Sequence, residues 1–243
     1  MLDQGGTFTD IIAVRPDGEI ISKKILSSQN SYKYNPISYG INQILNQNFD
    51  FKKFPINRIN IGTTIGTNTL LERKGAKLLL CVTKGFRDNF IIGNQKRDSL
   101  FSRHHIRKPS LYFKVEEIDE RISKTGKILK DINYEKTFAM LKRNYDLGIN
   151  TISIVLINSF KFTKHETVVK AMAERIGYKY ISCSSEVSPT INYTARGYTT
   201  LADNYLNPSI ENFTSKISKF FGKSKISYMQ SSGFLTNKKH FTG

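Results

Sequence analysis

The sequence predicts an α/β fold: a mixed β-sheet with flanking helices. Three observations carry this. Near the N-terminus, Ile11-Ile12-Ala13-Val14, the turn Arg15-Pro16-Asp17-Gly18 and Glu19-Ile20-Ile21 read as strand, turn, strand, an antiparallel pair. Two unbroken apolar runs, Lys77–Thr83 and Thr151–Ile157, read as strands covered on both faces. Between and after them lie amphipathic helical patterns that stop at Gly148 and Gly177, and strand-helix-strand spacing of this kind implies parallel pairing.

The elements follow in order. Ser22–Leu26 extends the second hairpin strand. Pro36 suits a first helical turn with Asn35 as cap, and Ile37, Ile41, Ile44 and Leu45 keep a helical period through Gln47. Asn57–Ile61 is a short strand ending at Gly62, and Gly62–Gly75 reads as a strand-to-helix turn, a helix and a glycine stop. Lys84–Asp88 is a turn, followed by a short helix to Ile92. The polar, basic stretch Gly93–Tyr112 is long for a connection, and such segments often carry function. Val115–Ile122 alternates as one half-exposed strand. Tyr134–Leu147 and His165–Ile176 are helices, and Tyr178–Ser182 is a strand. Tyr193–Phe221 is one long helix, or two broken near Pro208, and Ile226–Met229 is a last strand.

Composition narrows the class. The chain has 243 residues, 39% hydrophobic, with 16 Phe, which suffices for a real core. Pro (6) and Gly (16) are too few for a fibrous or disordered chain. No apolar run approaches the ~18 residues of a membrane span, and the N-terminus is not basic then apolar, so a cytoplasmic protein is expected. Cys81 and Cys183 lie in or beside apolar strands and read as buried, reduced thiols. The net charge of +17 is scattered as pairs such as Lys23-Lys24 and Lys52-Lys53, without a polybasic run. It reads as a solvated basic surface or an anion-friendly cleft rather than a nucleic-acid interface.

The chemistry concentrates at Asp3-Gln4-Gly5-Gly6-Thr7-Phe8-Thr9-Asp10. Gly5 and Gly6 let backbone N–H groups approach an anion without a Cβ in the way. Thr7 and Thr9 can donate to phosphate oxygens. Asp3 and Asp10 bracket the loop and could hold a hydrated Mg²⁺; Asp10 could instead cap the turn. A loop joining antiparallel strands, without a lysine and a following helix, is not a Walker loop. It resembles the phosphate loop of the actin-like ATPase and sugar-kinase superfamily. Only Met1 and Leu2 precede it, so the first strand is expected to be cut short.

Separated segments then agree in order: Asp3–Asp10, Gly62–Gly75, Thr83–Asp88, Gly93–Phe101, Val115–Arg121, Ser184–Pro189, Ala202–Pro208 and Tyr228–Leu235. With them the chain resembles the N-terminal part of the hydantoinase A / 5-oxoprolinase family. Gly-Asn-Gln-Lys-Arg-Asp-Ser-Leu-Phe and Ala-Arg-Gly-Tyr-Thr-Thr-Leu-Ala-Asp are closer to the 5-oxoprolinase branch. The resemblance implies the first lobe of a ribonuclease-H-like, actin-like ATPase fold, truncated at both ends. Residues 1–190 would form the N-terminal ATPase-like lobe and residues 191–243 the beginning of the hydantoinase A core domain. Members of the branch cleave 5-oxo-L-proline to L-glutamate with ATP, Mg²⁺ and usually K⁺, and the full-length form could be a homodimer. Phosphorylating the lactam oxygen makes a better electrophile for water, so coupling to ATP is chemically sensible.

On that resemblance, Gly5, Gly6, Thr7, Thr9 and Asp10 face the β/γ-phosphates, and Asp3, Thr7 and Thr9 are the catalytic candidates. Asp3 holds Mg²⁺ through water. Gly62, Thr63 and Thr64 are nucleotide contacts at the cleft, with a helix-capping role for either threonine as the alternative. Asn68, Arg87 and Asp88 are substrate contacts, Arg87 for the carboxylate; an ordinary surface ion pair is the alternative for the last two. Arg97-Asp98 carries the same ambiguity, Glu186 is a substrate or loop-capping candidate, and His104-His105 lacks metal-ligand spacing. The family continues into a second lobe, and Ser232 and Phe234 stand where it usually shows an Asp and a second Gly. An enzyme lobe that is inactive alone and a non-catalytic remnant both stay open, as does a hydantoinase A-type subunit.

Overall fold

The structure, a computed structural model, describes residues 1–15, 17–27, 36–45, 56–93, 109–222 and 224–242. Strands β1 (Leu2–Gln4), β2 (Phe8–Val14) and β3 (Ile20–Leu26) lead into helix α1 (Pro36–Leu45). Next come β4 (Arg58–Thr63), α2 (Ile65–Leu71), β5 (Leu78–Thr83) and α3 (Asn89–Ile92). Then follow β6 (Lys114–Ile118), β7 (Arg121–Ile122), β8 (Ile128–Lys130), α4 (Tyr134–Asp146), β9 (Thr151–Val155) and α5 (Lys164–Ile176). The chain closes with β10 (Tyr180–Cys183), α6 (Ser184–Val187), α7 (Tyr193–Phe221), β11 (Lys225–Met229) and β12 (Leu235–Thr236). Helix α7 runs through Pro208 without interruption. The described chain packs as two compact units: Met1–Gly75 with Ser209–Thr242, and Ala76–Pro208.

The first unit is a six-stranded mixed sheet in the order β12-β11-β4-β1-β2-β3. Strand β1 is antiparallel to β2 and parallel to β4, which is parallel to β11. This is the ribonuclease-H-like layout: an antiparallel hairpin on one side of the first strand and parallel strands on the other. The hairpin register runs from Val14↔Ile20 to Phe8↔Leu26. Gly18 supplies the positive φ of +90° that the turn needs. Alternation along β2 buries Thr9 and Ile11 and exposes Phe8, Asp10, Ile12 and Val14. The buried face meets Ile37, Ile41 and Ile44 of α1 and Phe213, Ile217 and Phe221 of α7 in one apolar cluster. Asp3 and Asp10 therefore stand on the opposite face of the sheet, exposed.

The second unit is a four-stranded parallel sheet, β10-β9-β5-β6, with a small β7–β8 hairpin. Both faces are covered, which is why β5 and β9 read as unbroken apolar runs. Leu79, Cys81, Ile152 and Ile154 pack with Leu141, Val169 and Met172 on one side. Leu78, Leu80 and Val82 pack with Phe90, Val155 and Leu201 on the other. Cys81 and Cys183 are free thiols, and burial pushes both thiol pKa values well up.

Two local expectations need correcting. The stretch Val115–Ile122 is not one strand: it breaks at Asp119-Glu120, where Glu120 turns inward, only 2% exposed, to meet His165. Helix α2 does not run to a glycine stop at Gly75. It ends at Leu71, and Arg73 takes the left-handed conformation at φ 56°. Glu186, a substrate or loop-capping candidate, lies in a short helix, α6 (Ser184–Val187).

Candidate phosphate-binding site

The site is built where β1 ends, the Gly5-Gly6-Thr7 loop crosses to β2, and β4 hands over to α2. A cleft of about 340 Å³ opens there within the first unit. Gln4, Gly5, Gly6, Thr63 and Asn68 line it with Ser209, Asn212 and Phe213 of α7. Gly5 N–H donates to the Phe8 carbonyl (2.9 Å) and closes the loop. Among the described residues, the Gly6 and Thr7 N–H groups and the Thr7 hydroxyl have no acceptor or donor partner. They are the unspent donors of this site, and an anion is the group that such donors recruit.

Two glycines here have a side chain packed close against them. A Cβ on Gly6 would stand 2.9 Å from Asn68 Nδ2, so the Asn68 amide rests directly on the loop. A Cβ on Gly62 would stand 3.1 Å from Asp3 Oδ1. The absence of that side chain leaves room for the Asp3 carboxylate and whatever it holds.

The carboxylates are placed by register. Gly62, Asp3, Asp10 and Lys24 are consecutive cross-strand partners on β4, β1, β2 and β3. Two like charges directly opposite each other are unfavourable. Lys24 Nζ lies 3.3 Å from Asp10 Oδ1, which leaves Asp3 as the less compensated carboxylate. Two carboxylates beside an anion-receptive loop fit a hydrated Mg²⁺, which keeps several waters and takes one or two protein carboxylates. Asp3 is the residue that would hold it.

Other expected contacts sit differently. Thr9 is fully buried, with Oγ1 2.9 Å from Ser27 Oγ, because it shares the inward face of β2 with Ile11. Its position is beneath the loop, closed off from solvent. Asp10 is a strand residue and caps no turn. Thr63 donates to the Gln4 carbonyl and accepts from Ile65 N–H, both at 3.2 Å, so its hydroxyl is spent joining β1 to α2. Thr64 occupies the N-cap position of α2 without a side-chain cap bond, and its hydroxyl accepts from Asn68 Nδ2 (3.2 Å).

Arg87 and Asp88 belong to the second unit. Arg87 donates to the Val115 carbonyl (3.0 Å), and Asp88 opens α3 without a side-chain cap bond. Glu186, a loop candidate, is exposed and accepts from Lys170 Nζ at 2.7 and 2.9 Å. Arg97, Asp98, His104 and His105 lie outside the described residues. Among the described residues no cluster of three or more His, Cys, Asp or Glu could hold a metal.

Sequence reading missed Ser27 and the α7 wall of the cleft. Ser27 had a usable signal. The turn at residues 15–18 sets the hairpin register, and continuing it one step beyond Phe8↔Leu26 brings Ser27 opposite Thr7. The α7 contribution had none, since Ser209 and Asn212 are some 200 residues from the loop in sequence.

A further polar group lies in the second unit. Asp203 on α7 is 9% exposed and accepts from Ser182 Oγ (2.6 Å) and Asn207 Nδ2 (3.3 Å). Burial raises its carboxyl above the usual aspartate range, against the two hydrogen bonds. A raised folded-state pKa stabilises the fold fully below the ordinary aspartate pKa of about 3.9 and loses that contribution as pH rises through the folded value. Asp203→Asn, which cannot ionise, is therefore expected to gain melting temperature over the parent chain as pH rises from about 4 to 7. A difference that stays flat across that range in thermal melts would contradict the assignment.

A mixed α/β lobe with a glycine loop between antiparallel strands defines the class as an α/β lobe with unspent backbone donors at that loop. The family follows from comparison. A family model described as the hydantoinase/oxoprolinase N-terminal region matches residues 1–177, and the chain belongs to that family. It is 37% identical over 278 residues to 5-oxoprolinase 1 of Arabidopsis thaliana, covering 100% of this chain and 22% of that one. It is 36% identical over 281 residues to 5-oxoprolinase of Dictyostelium discoideum, again covering 100% and 22%. The chain thus spans about 22% of the length of these relatives. Among solved structures, nucleotide-free acetone carboxylase aligns at TM-score 0.78 and 22% identity, over 98% of this chain and 36% of that one. The ATP-dependent caprolactamase of Pseudomonas jessenii aligns at TM-score 0.78 and 23% identity, with the same coverage. At these identities the structural likeness speaks for the fold. No described helix is long and apolar enough to cross a membrane.

Proposed function

We propose that this chain is the nucleotide-phosphate-binding lobe of an ATP-dependent 5-oxoprolinase, which converts 5-oxo-L-proline, ATP and water to L-glutamate, ADP and phosphate. The observation that carries the reading is the pair of unspent N–H groups at Gly6 and Thr7, with the free Thr7 hydroxyl, beside the Asp3 carboxylate. Bound MgATP would supply a transferable phosphoryl group to activate the lactam oxygen. Gly5, Gly6 and Thr7 of this chain would orient its phosphates, and Asp3 would hold Mg²⁺ through water. Gly62 makes space for Asp3, Thr63 and Thr64 shape the α2 side of the cleft, and Asn68 reaches across to the loop. Arg87, which donates to the Val115 carbonyl, is assigned to the substrate carboxylate with Asp88 as a further substrate contact, and K⁺ is an accessory ion. We assign residues 1–190 to the ATPase-like lobe and residues 191–243 to the start of the core domain. The compartment is taken as the cytoplasm, and the full-length form as a homodimer.

Two-lobed ATPases of this class close over nucleotide between lobes, so the purified 243-residue chain is expected to show ATPase and glutamate release at background. Residues 3–235 grafted into a complete relative are expected to release glutamate in step with phosphate. Robust Mg²⁺-dependent turnover by the chain alone would overturn the division of labour. A folded graft that hydrolyses ATP without opening 5-oxo-L-proline would overturn the substrate assignment.

A further inference from the structure

Ser27 stands at the end of β3, half-buried and directly under the glycine loop. Its hydroxyl donates to the Gly5 carbonyl (2.8 Å), and its backbone N–H donates to the Thr7 carbonyl (2.8 Å). Thr9 Oγ1 lies 2.9 Å from the Ser27 hydroxyl. A serine has one hydroxyl proton, and here it goes to Gly5. The Thr9 hydroxyl is therefore the donor to Ser27, and the three groups form a directed chain: Thr9 to Ser27 to the Gly5 carbonyl. Such a chain polarises each member in turn.

The consequence lies in the peptide plane. The Gly5 carbonyl and the Gly6 N–H belong to one planar trans unit and point in opposite directions. Holding the carbonyl on Ser27, which itself lines the cleft, keeps the Gly6 N–H turned away from Ser27. Glycine alone would not hold that orientation, because Gly5 and Gly6 have more accessible backbone conformations than any other residue. We infer that Ser27, seated on Thr9, is the positioning residue of the phosphate loop, fixing the Gly6 N–H toward the β/γ-phosphates of a bound nucleotide. It also gives a role to Thr9, which cannot reach the cleft itself. The inference rests on the phosphate-loop reading above and names the device that preorganises it.

The test uses the ¹⁵N-labelled chain, with MgATP as the probe. Ser27→Ala removes the hydroxyl and keeps the backbone N–H; Ser27→Thr restores a hydroxyl and suits the end of a strand. In the ligand-free alanine variant, heteronuclear NOE values at Gly5, Gly6 and Thr7 are expected to fall while the melting temperature stays close to the parent's. The MgATP dissociation constant, read from the Gly6 amide shift, is expected to rise about tenfold or more. The threonine variant is expected to recover both. A purely structural role would move the melting temperature and leave the Gly6 amide and its response to MgATP unchanged. A parent-chain response that Ser27→Ala leaves untouched overturns the inference alone. Where the parent chain gives no response, the Ser27 comparison is made on the MgATP affinity of residues 3–235 grafted into a complete relative; no MgATP binding there overturns the phosphate-loop reading, and the inference falls with it.

Discussion

Replacing Glu166 with alanine is expected to cost about 3–5 kcal/mol of stability in the second unit, the loss typical of breaking a buried charge arrangement from one side. Glu166 is fully buried on the first turn of α5. Its Oε1 accepts from Leu156 N–H (2.9 Å) and Ser184 Oγ (2.6 Å), and its Oε2 from Ser185 N–H (2.9 Å) and Ser185 Oγ (2.6 Å). Arg196, 1% exposed, completes the arrangement: Nε donates to Ser184 Oγ (3.0 Å), Nη2 to the Leu156 carbonyl (2.9 Å) and Nη1 to the Thr190 carbonyl (2.7 Å). One carboxylate thus ties the end of β9, the turn into α6 and the first turns of α7. Removing it strands one buried and one half-buried backbone donor and leaves the Arg196 charge without its counter-charge. Burial already lowers the Arg196 pKa, and Glu166, followed by Tyr193, opposes this.

Glu166→Gln is expected to rescue little. Each oxygen accepts two donors, so the amide NH₂ must face two of them in either orientation. Glu166→Ala combined with Arg196→Met should cost less than the sum of the single changes, because the second removes the charge the first leaves unpaired. Hydrogen exchange at the β9 amides measures these losses within the unit. A loss under about 1 kcal/mol for Glu166→Ala, the worth of an ordinary hydrogen bond, would contradict the account.

This network also shows where sequence reading stops. Ser184-Ser185-Glu186 stands out as a motif, and its acidic member draws attention. The structure gives the work to the two serines and to Glu166, some twenty residues earlier, while Glu186 sits on the surface with Lys170. A carboxylate in a first helical turn is an ordinary sight in a sequence, and nothing in its neighbours announces four donors converging from elsewhere. The same limit explains Glu120: a charged residue in an alternating strand pattern reads as solvent-facing until His165 and Thr83 are brought to it.

What was legible depended on local period and on turns. The hairpin, its turn at Gly18 and the two buried parallel strands follow from alternation, unbroken apolar runs and glycine stops, and each stands within about three residues of its expected place. Thr9 could have been placed from the same alternation. It lies two residues from Ile11, so burying Ile11 buries Thr9, and the phosphate contact assigned to it conflicted with the strand pattern. Asp3 opposite Asp10 required the register of β1 on β2, which three residues of strand cannot reveal alone. Arg73 in a left-handed conformation two residues before Gly75 had no local signal, since glycine is the residue that favours this conformation.

The last expected result concerns rate. In residues 3–235 grafted into a complete 5-oxoprolinase, Thr7→Ala and Asp3→Ala are each expected to lower kcat on the order of 10²–10³, the usual loss for one preorganised donor at a developing charge. Affinity for 5-oxo-L-proline should change far less, because both groups face the phosphoryl side, where charge is redistributed only in the transition state. The geometry separates these residues from their neighbours. Thr7 has a free hydroxyl beside the unspent Gly6 and Thr7 N–H groups, and Asp3 has only Gly62 and the like-charged Asp10 across from it. Asp10 is compensated by Lys24, so Asp10→Asn should lower kcat less than Asp3→Asn. Arg87→Ala should behave differently again. If its guanidinium holds the substrate carboxylate, KM for 5-oxo-L-proline rises while KM for ATP stays near the parent value, and ATP hydrolysis uncoupled from ring opening persists. Steady-state kinetics of the four positions with both substrates separates the roles. Parent-like kcat at saturating ATP in the Thr7 and Asp3 variants would remove the phosphate loop from the mechanism.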